Sequence, residues 1–160
     1  MEDQKYNLFC RIMEELDKTY DLMTLYDSLP HQYGDYNLYQ VESHIIECIG
    51  NNEGVTISIL AEKFGKTKSA CSQMVKKLRD KNWVIQVRNE KNNREYKLYL
   101  TEEGKKIFKN HAEFDQRCYI RNFKGLKEFS YEELNTYLRI QKKMNQSFEL
   151  DVEESHEYFQ

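Results

Sequence analysis

The sequence predicts a mainly α fold with one small β-hairpin wing. Three observations predict it. Apolar residues recur at helical spacing through most of the 160 residues. One stretch beginning near Val84 switches to short β-branched and alternating runs. Threonine, serine and glycine stand where helices must begin or end. The length is that of one domain of ordinary size, and 12 Tyr and 8 Phe add to the apolar surface available for a core.

The elements follow in order. Phe9, Ile12, Met13, Leu16, Tyr20 and Met23 place an amphipathic helix over residues 4–27. Pro30 and Gly34 break it. Leu38, Val41, Ile45 and Ile49 mark a second helix that stops at Gly50-Asn51-Asn52. Thr56 caps a short third helix with Ile57, Leu60, Ala61 and Phe64 inward, and Gly65 ends it, because a left-handed backbone costs glycine little. Thr67 caps a fourth helix. Its inner face is Cys71, Met74, Val75 and Leu78, and its outer face is Lys68, Ser69, Ser72, Gln73 and Lys76. Two short helices joined by a glycine turn form a helix-turn-helix. Residues 84–88 and 94–100 then read as a hairpin with a charged tip, with Tyr96, Leu98 and Leu100 on one side. Thr101 opens a fifth helix, with Glu102 and Glu103 opposing the positive end of its dipole. Ser130 and Glu133 form the capping box of a last helix carrying Leu134, Tyr137, Leu138, Met144 and Phe148. The acidic residues after 150 read as a frayed tail.

Composition excludes several classes. No run of about 18 apolar residues could cross a membrane, and the start Met1-Glu2-Asp3-Gln4 carries no secretory pattern. Cys10, Cys48, Cys71 and Cys118 form no CxxC pair, which fits a reducing cytoplasmic setting. No phosphate-cradling glycine loop and no nucleophile beside a base is present, so neither an enzyme nor a cofactor is expected. Net charge is −3, but the halves differ. Residues 61–110 hold 14 basic and 6 acidic side chains, a balance of +8, and the remainder holds 10 and 21, a balance of −11. Such asymmetry suits one surface for a polyanion.

A helix that enters the major groove needs small or polar side chains outward near its N-terminus and cations for phosphates. Ser69, Ser72 and Gln73 suit base edges. Lys66, Lys68 and Lys76 suit phosphates. Lys91 and Arg94 at the hairpin tip suit the minor groove, whose negative potential attracts guanidinium. Phe9, Met13, Phe123, Leu134, Leu138 and Phe148 exceed what a short helix-turn-helix core could cover, and on their own would stand as an exposed patch.

From Leu38 to Lys109 the sequence resembles the MarR family of winged-helix repressors. The resemblance rests on Ile59-Leu60-Ala61-Glu62-Lys63-Phe64-Gly65, on Thr67-Lys68-Ser69, on the run from Lys76 to Trp83-Val84, and on Asn92-x-Arg94-x-x-x-Leu98-x-Leu100-Thr101-Glu102-Glu103-Gly104. Two positions depart from the family pattern: Asn92 replaces the wing aspartate that would orient Arg94, and Asn82 replaces a glycine, which Asn can do in a left-handed backbone. The resemblance implies a winged helix-turn-helix plus N- and C-terminal dimerisation helices. It divides the chain into an N-terminal dimerisation helix and loop (1–35), a DNA-binding lobe (36–110), C-terminal dimerisation helices (111–150) and an acidic tail (151–160). It further implies a homodimer on double-stranded DNA, with half-sites about 10 bp apart, that represses transcription. An interaction module that has lost DNA binding is the alternative.

The resemblance also implies a signal that releases the DNA, and three remain open. A small-molecule inducer could meet Tyr20, Tyr26, Tyr36 and Tyr39, each a flat apolar body with one hydroxyl. Oxidation could act at Cys10, beside Arg11, near where the hydroperoxide-sensing branch carries its reactive thiol. A metal could bind His111 and Asp115, one turn apart, with His31 and Glu42 near the other ligand positions of the zinc-sensing branch. Of these four, only His111 has that branch's ligand type.

Overall fold

The computed structural model describes residues 2–89 and 92–158, with residues 92–94 described by their backbone. Two compact units divide the chain, Met1–Asp115 and Gln116–Gln160. The first opens with α1 (Glu2–Ser28), the long helix that the apolar spacing predicts. None of its residues is buried. Next comes a feature the sequence reading misses. Pro30–Tyr33 (β1) and Tyr36–Tyr39 (β2) form an antiparallel hairpin, with His31 opposite Leu38 and Tyr33 opposite Tyr36. Its two-residue turn starts at Gly34, whose φ of 62° is the positive value a tight hairpin turn requires there. A side chain at Gly34 would also run into the Asn110 amide.

Helix α2 (Gln40–Asn51) buries Ser43, Ile45, Ile46, Cys48 and Ile49. Leu38, which the periodicity assigns to this helix, instead fills the core from β2. Strand β3 (Val55–Thr56) is too short to show a period in sequence, and pairs with Leu98 and Lys97. Helices α3 (Ile57–Lys63) and α4 (Lys68–Asp80) begin at the expected caps. Thr56 accepts from the Ile59 N–H at 3.4 Å and Thr67 accepts from the Ala70 N–H at 3.2 Å. Gly65, at φ 57°, makes the turn between them. Strands β4 (Val84–Asn89) and β5 (Asn92–Leu100) complete a three-stranded sheet of order β3-β5-β4. Leu98 is fully buried and Leu100 packs against the core, but Tyr96, expected on the same side, is exposed where the hairpin leaves the body. Helix α5 (Glu102–Lys124) starts in this unit, with Ile107 and His111 buried.

The end of α4 and the start of α5 meet at one joint. Asn82 sits at φ 58°, and the Trp83 N–H reaches back to the Leu78 carbonyl at 2.9 Å. This is the glycine-type helix ending, satisfied here by asparagine. Thr101 receives and gives at the same place. Its N–H donates to the Trp83 carbonyl at 3.1 Å, its hydroxyl donates to the Asn82 carbonyl at 2.8 Å, and its oxygen accepts the Gly104 N–H at 3.0 Å. Gly104 is buried, and a Cβ there would lie 2.0 Å from the Trp83 carbonyl oxygen.

In the second unit, the rest of α5 leads through Gly125 to α6 (Tyr131–Tyr158). The expected capping box closes: the Ser130 N–H donates to Glu133 Oε2 at 2.7 Å and the Glu133 N–H donates to Ser130 Oγ at 3.2 Å. These bonds hold the Glu133 carboxyl below the ordinary carboxylate range. The acidic segment after 150 is helical to Tyr158, not frayed. Phe148 and Val152 continue one helical stripe into it, and extending a formed helix is far cheaper than starting one. No residue of α6 is buried, and Phe123, Tyr137, Leu138 and Leu150 stand exposed. No helix among the described residues is long and apolar enough to cross a membrane.

The joint generates a stability prediction. Gly104→Ala forces a methyl group onto a backbone carbonyl that cannot rotate away, so it will cost about 1–3 kcal/mol, read as a lowered urea midpoint. Asn82→Gly keeps the left-handed turn and will move stability by no more than about 0.5 kcal/mol.

Candidate nucleic-acid interface

Helix α4 divides its residues cleanly between two faces. Cys71, Val75 and Leu78 are buried in the core, and burial pushes the Cys71 thiol up despite nearby Lys66. Lys68, Ser69, Ser72, Gln73 and Lys76 are all exposed on the opposite side, and Lys66 is exposed in the turn that precedes the helix. The six α4-region residues singled out from sequence therefore share one open surface. The inward face holds α4 rigidly enough to present the outward one. Lys91 lies outside the described residues, and Arg94 is described by its backbone in β5 alone.

Three contacts that the sequence does not reveal fix α4. Arg79 Nη1 donates to Gln86 Oε1 of β4 at 2.5 Å, which ties the helix to the hairpin. Lys81, just past the helix end, pairs with Glu42 Oε1 at 2.7 Å, and its ammonium lies 4.5 Å from the centre of the Trp83 ring. Glu42 also accepts the Tyr39 N–H at 3.2 Å, so one carboxylate caps α2 and anchors the end of α4. Glu42 and Lys81 are 39 residues apart, and no local pattern links them.

The effector candidates separate. Tyr36 donates its hydroxyl to Glu103 and stands edge-on to Trp83 at 6.0 Å. That hydrogen bond pushes the Tyr36 hydroxyl up, and Lys106 and then Tyr36 draw the Glu103 carboxyl down. Tyr26 stacks on His31 at 4.1 Å, Tyr20 is exposed on α1, and Tyr39 borders a cleft of about 120 Å³ with Val41, Met74 and Lys77. The four tyrosines thus occupy different surroundings rather than one pocket wall. Cys10 is half-buried on α1. Within the metal set drawn from sequence, His111 Nδ1 and Asp115 Oδ2 come together at 3.5 Å. The other two are engaged elsewhere: His31 packs against Tyr26 and Phe114, with Nε2 3.0 Å from the Tyr26 carbonyl, and Glu42 is taken by Lys81. The residues that face His111 are instead His44 and Glu47 of α2.

Comparison with known proteins agrees with this geometry. Residues 38–96 match the MarR family. The uncharacterised helix-turn-helix-type transcriptional regulator YhjH of Bacillus subtilis is 28% identical over 97 residues, 61% of this chain and 55% of YhjH. The helix-turn-helix-type regulator SarZ of Staphylococcus aureus is 31% identical over 85 residues, 53% of this chain and 57% of SarZ. The matched stretch thus spans little more than half the length of these curated relatives. Among solved structures, FabT of Streptococcus pneumoniae, crystallised in complex with DNA, superposes with a TM-score of 0.70 at 23% identity, over 88% of this chain and 97% of FabT. That likeness establishes the winged helix-turn-helix fold.

The Glu42–Lys81 pair can be weighed by a double-mutant cycle. Glu42→Gln and Lys81→Met will couple by about 0.5–1 kcal/mol in urea unfolding, more than a fully exposed pair, because Glu42 is largely covered.

Proposed function

We propose that this chain, which carries a MarR-family domain over residues 38–96, is a DNA-binding regulator of transcription. It occupies a near-palindromic promoter site as a homodimer and represses by that occupancy. One observation carries the reading: a capped helix, buried on one side, turns Lys66, Lys68, Ser69, Ser72, Gln73 and Lys76 to solvent together. Ser69, Ser72 and Gln73 read base edges in the major groove, and the three lysines neutralise phosphates. Arg94 and Lys91 extend the contact into the flanking minor groove. The apolar residues left uncovered on α1 and, separately, on α6 support a second copy as the partner, since large apolar side chains left in water favour association. An effector releases the DNA by binding more tightly to a form of the dimer whose two α4 helices are wrongly spaced.

The test is binding of the full-length protein to duplexes from its own promoter, followed by fluorescence anisotropy across a salt series. Six lysine–phosphate contacts per dimer predict a log–log salt slope of about −5. Gln73→Ala will relax preference at one base pair per half-site by about 1–3 kcal/mol, with other positions unchanged. Arg94→Ala will weaken binding while the dimer persists by sedimentation. A chain that stays monomeric defeats the proposal. A dimer that ignores duplex DNA even in dilute buffer makes the fold an interaction module instead.

A further inference from the structure

The β1–β2 hairpin joins α1 to the winged-helix lobe with almost no slack. A single residue, Leu29, separates α1 from β1, and β2 runs straight into α2. The Tyr26 carbonyl near the end of α1 accepts the Leu29 N–H at 3.1 Å and stands 3.0 Å from His31 Nε2, while the Tyr26 and His31 rings stack at 4.1 Å. The hairpin is then fastened to α5 at Glu103 and at Asn110, two turns apart on one face of that helix. At the inner point Tyr33 is fully buried and edge-on to Phe114 at 4.9 Å, and the Asn110 amide donates to the Tyr33 carbonyl at 3.4 Å. At the outer point the Tyr36 hydroxyl donates to the Glu103 carboxylate, one residue before Gly104, and the Tyr36 ring stands edge-on to Trp83. We propose that the Tyr36–Glu103 bond is a positioning contact that sets which half-site spacing the dimer accepts on DNA.

The inference rests on the reading of the chain as a DNA-binding dimer, and names the residue pair that fixes the reach of that dimer. There α1 turns apolar residues toward the second copy and α4 meets the base edges. The separation of the two α4 helices therefore depends on the angle between α1 and its own lobe. The two fastenings contribute differently to that angle. The inner one is buried and apolar, and anchors the hairpin to α5. The outer one is half-buried and polar, and reaches the joint where Gly104 meets the Trp83 backbone. A body held at one point can still turn, and a second contact two turns away removes that freedom. The bond is suited to this, because a hydroxyl given to a charged acceptor makes a shorter and stronger bond than a neutral pair. Lys106 and then Tyr36 draw the Glu103 carboxyl down, so it stays an acceptor, and Glu103 pushes the Tyr36 hydroxyl up, so it stays a donor. Each base pair added between half-sites moves them about 3.4 Å apart and turns them by about 35°. A dimer held at one angle rejects such a change, and a loosened dimer accommodates it.

The experiment follows full-length protein by fluorescence anisotropy on three probes: a promoter duplex that it binds, the same duplex with one base pair inserted or removed between half-sites, and a single half-site. The wild type will prefer the natural spacing. Tyr36→Phe keeps the ring beside Trp83 and removes only the hydroxyl. It will shrink that preference by about fivefold or more, the range of couplings between distant sites. Its affinity for the single half-site will stay within about twofold of wild type, and the dimer will persist by sedimentation. Glu103→Ala will act in the same way, whereas Glu103→Gln, whose amide oxygen still accepts the hydroxyl, will keep most of the preference. The double variant Tyr36→Phe/Glu103→Ala will lose no more than either single one, since one bond can be removed only once. A wild type without spacing preference, a Tyr36→Phe chain that retains it, or losses that multiply in the double variant overturns the inference. Protein that binds no duplex at all defeats instead the DNA-binding reading beneath it.

Discussion

The close approach of α5 to the Trp83 backbone is the constraint on which the winged-helix lobe depends. Three chain directions converge there: the end of α4, the start of β4, and the passage from β5 into α5. Thr101 satisfies carbonyls on both Asn82 and Trp83 and still caps its own helix. Gly104 makes that proximity sterically possible. A joint whose backbone groups are tied by several hydrogen bonds holds its elements in place, because those groups gain little by turning out to water. The outer face of α4, the hairpin and the helix leading out of the lobe are therefore set against one another by backbone geometry rather than by surface charge.

The electrostatics reinforce the same arrangement at its edges. Glu42 holds Lys81, Lys81 covers Trp83, Trp83 meets Tyr36, and Tyr36 reaches Glu103 in the first turn of α5. Each contact alone is modest, since surface pairs are screened and cost side-chain entropy. Together they draw β2, α2, α4 and α5 around one indole. Among the described residues, Lys66, Lys68 and Lys76 stand outside the ion pairs, whereas Lys81, Lys105 and Lys106 are engaged in internal ones.

Much of this is legible in the sequence. The helical period found α1 to α6, and four caps, at Thr56, Thr67, Thr101 and Ser130, marked helix starts correctly because capping is a local interaction. Asn82 is readable as a left-handed position through the resemblance, since it stands where the family pattern has glycine. The hairpin at Pro30–Tyr39 was not. Its strands are four residues long, and a proline and a glycine at its ends read as mere breaks. Strand β3 is two residues and has no period to show. The acidic end of α6 reads as frayed from its charge pattern, although an apolar stripe continues through it and it is helical to Tyr158. At the site, exposure on α4 followed from its amphipathic pattern. The grouping of His44 and Glu47 with His111 could not, since it depends on how α2 is rotated against α5, which neither helix encodes alone.

Trp83 is the one tryptophan in the sequence, and it lies at the joint, between a lysine ammonium and a tyrosine edge. All indole emission from the protein therefore originates where α4, the β4–β5 hairpin and α5 meet. An ammonium drawn from the ring, or a carbonyl shifted behind it, changes colour and intensity there first. The molecule carries a native optical gauge of its own joint, needing no dye and no added cysteine.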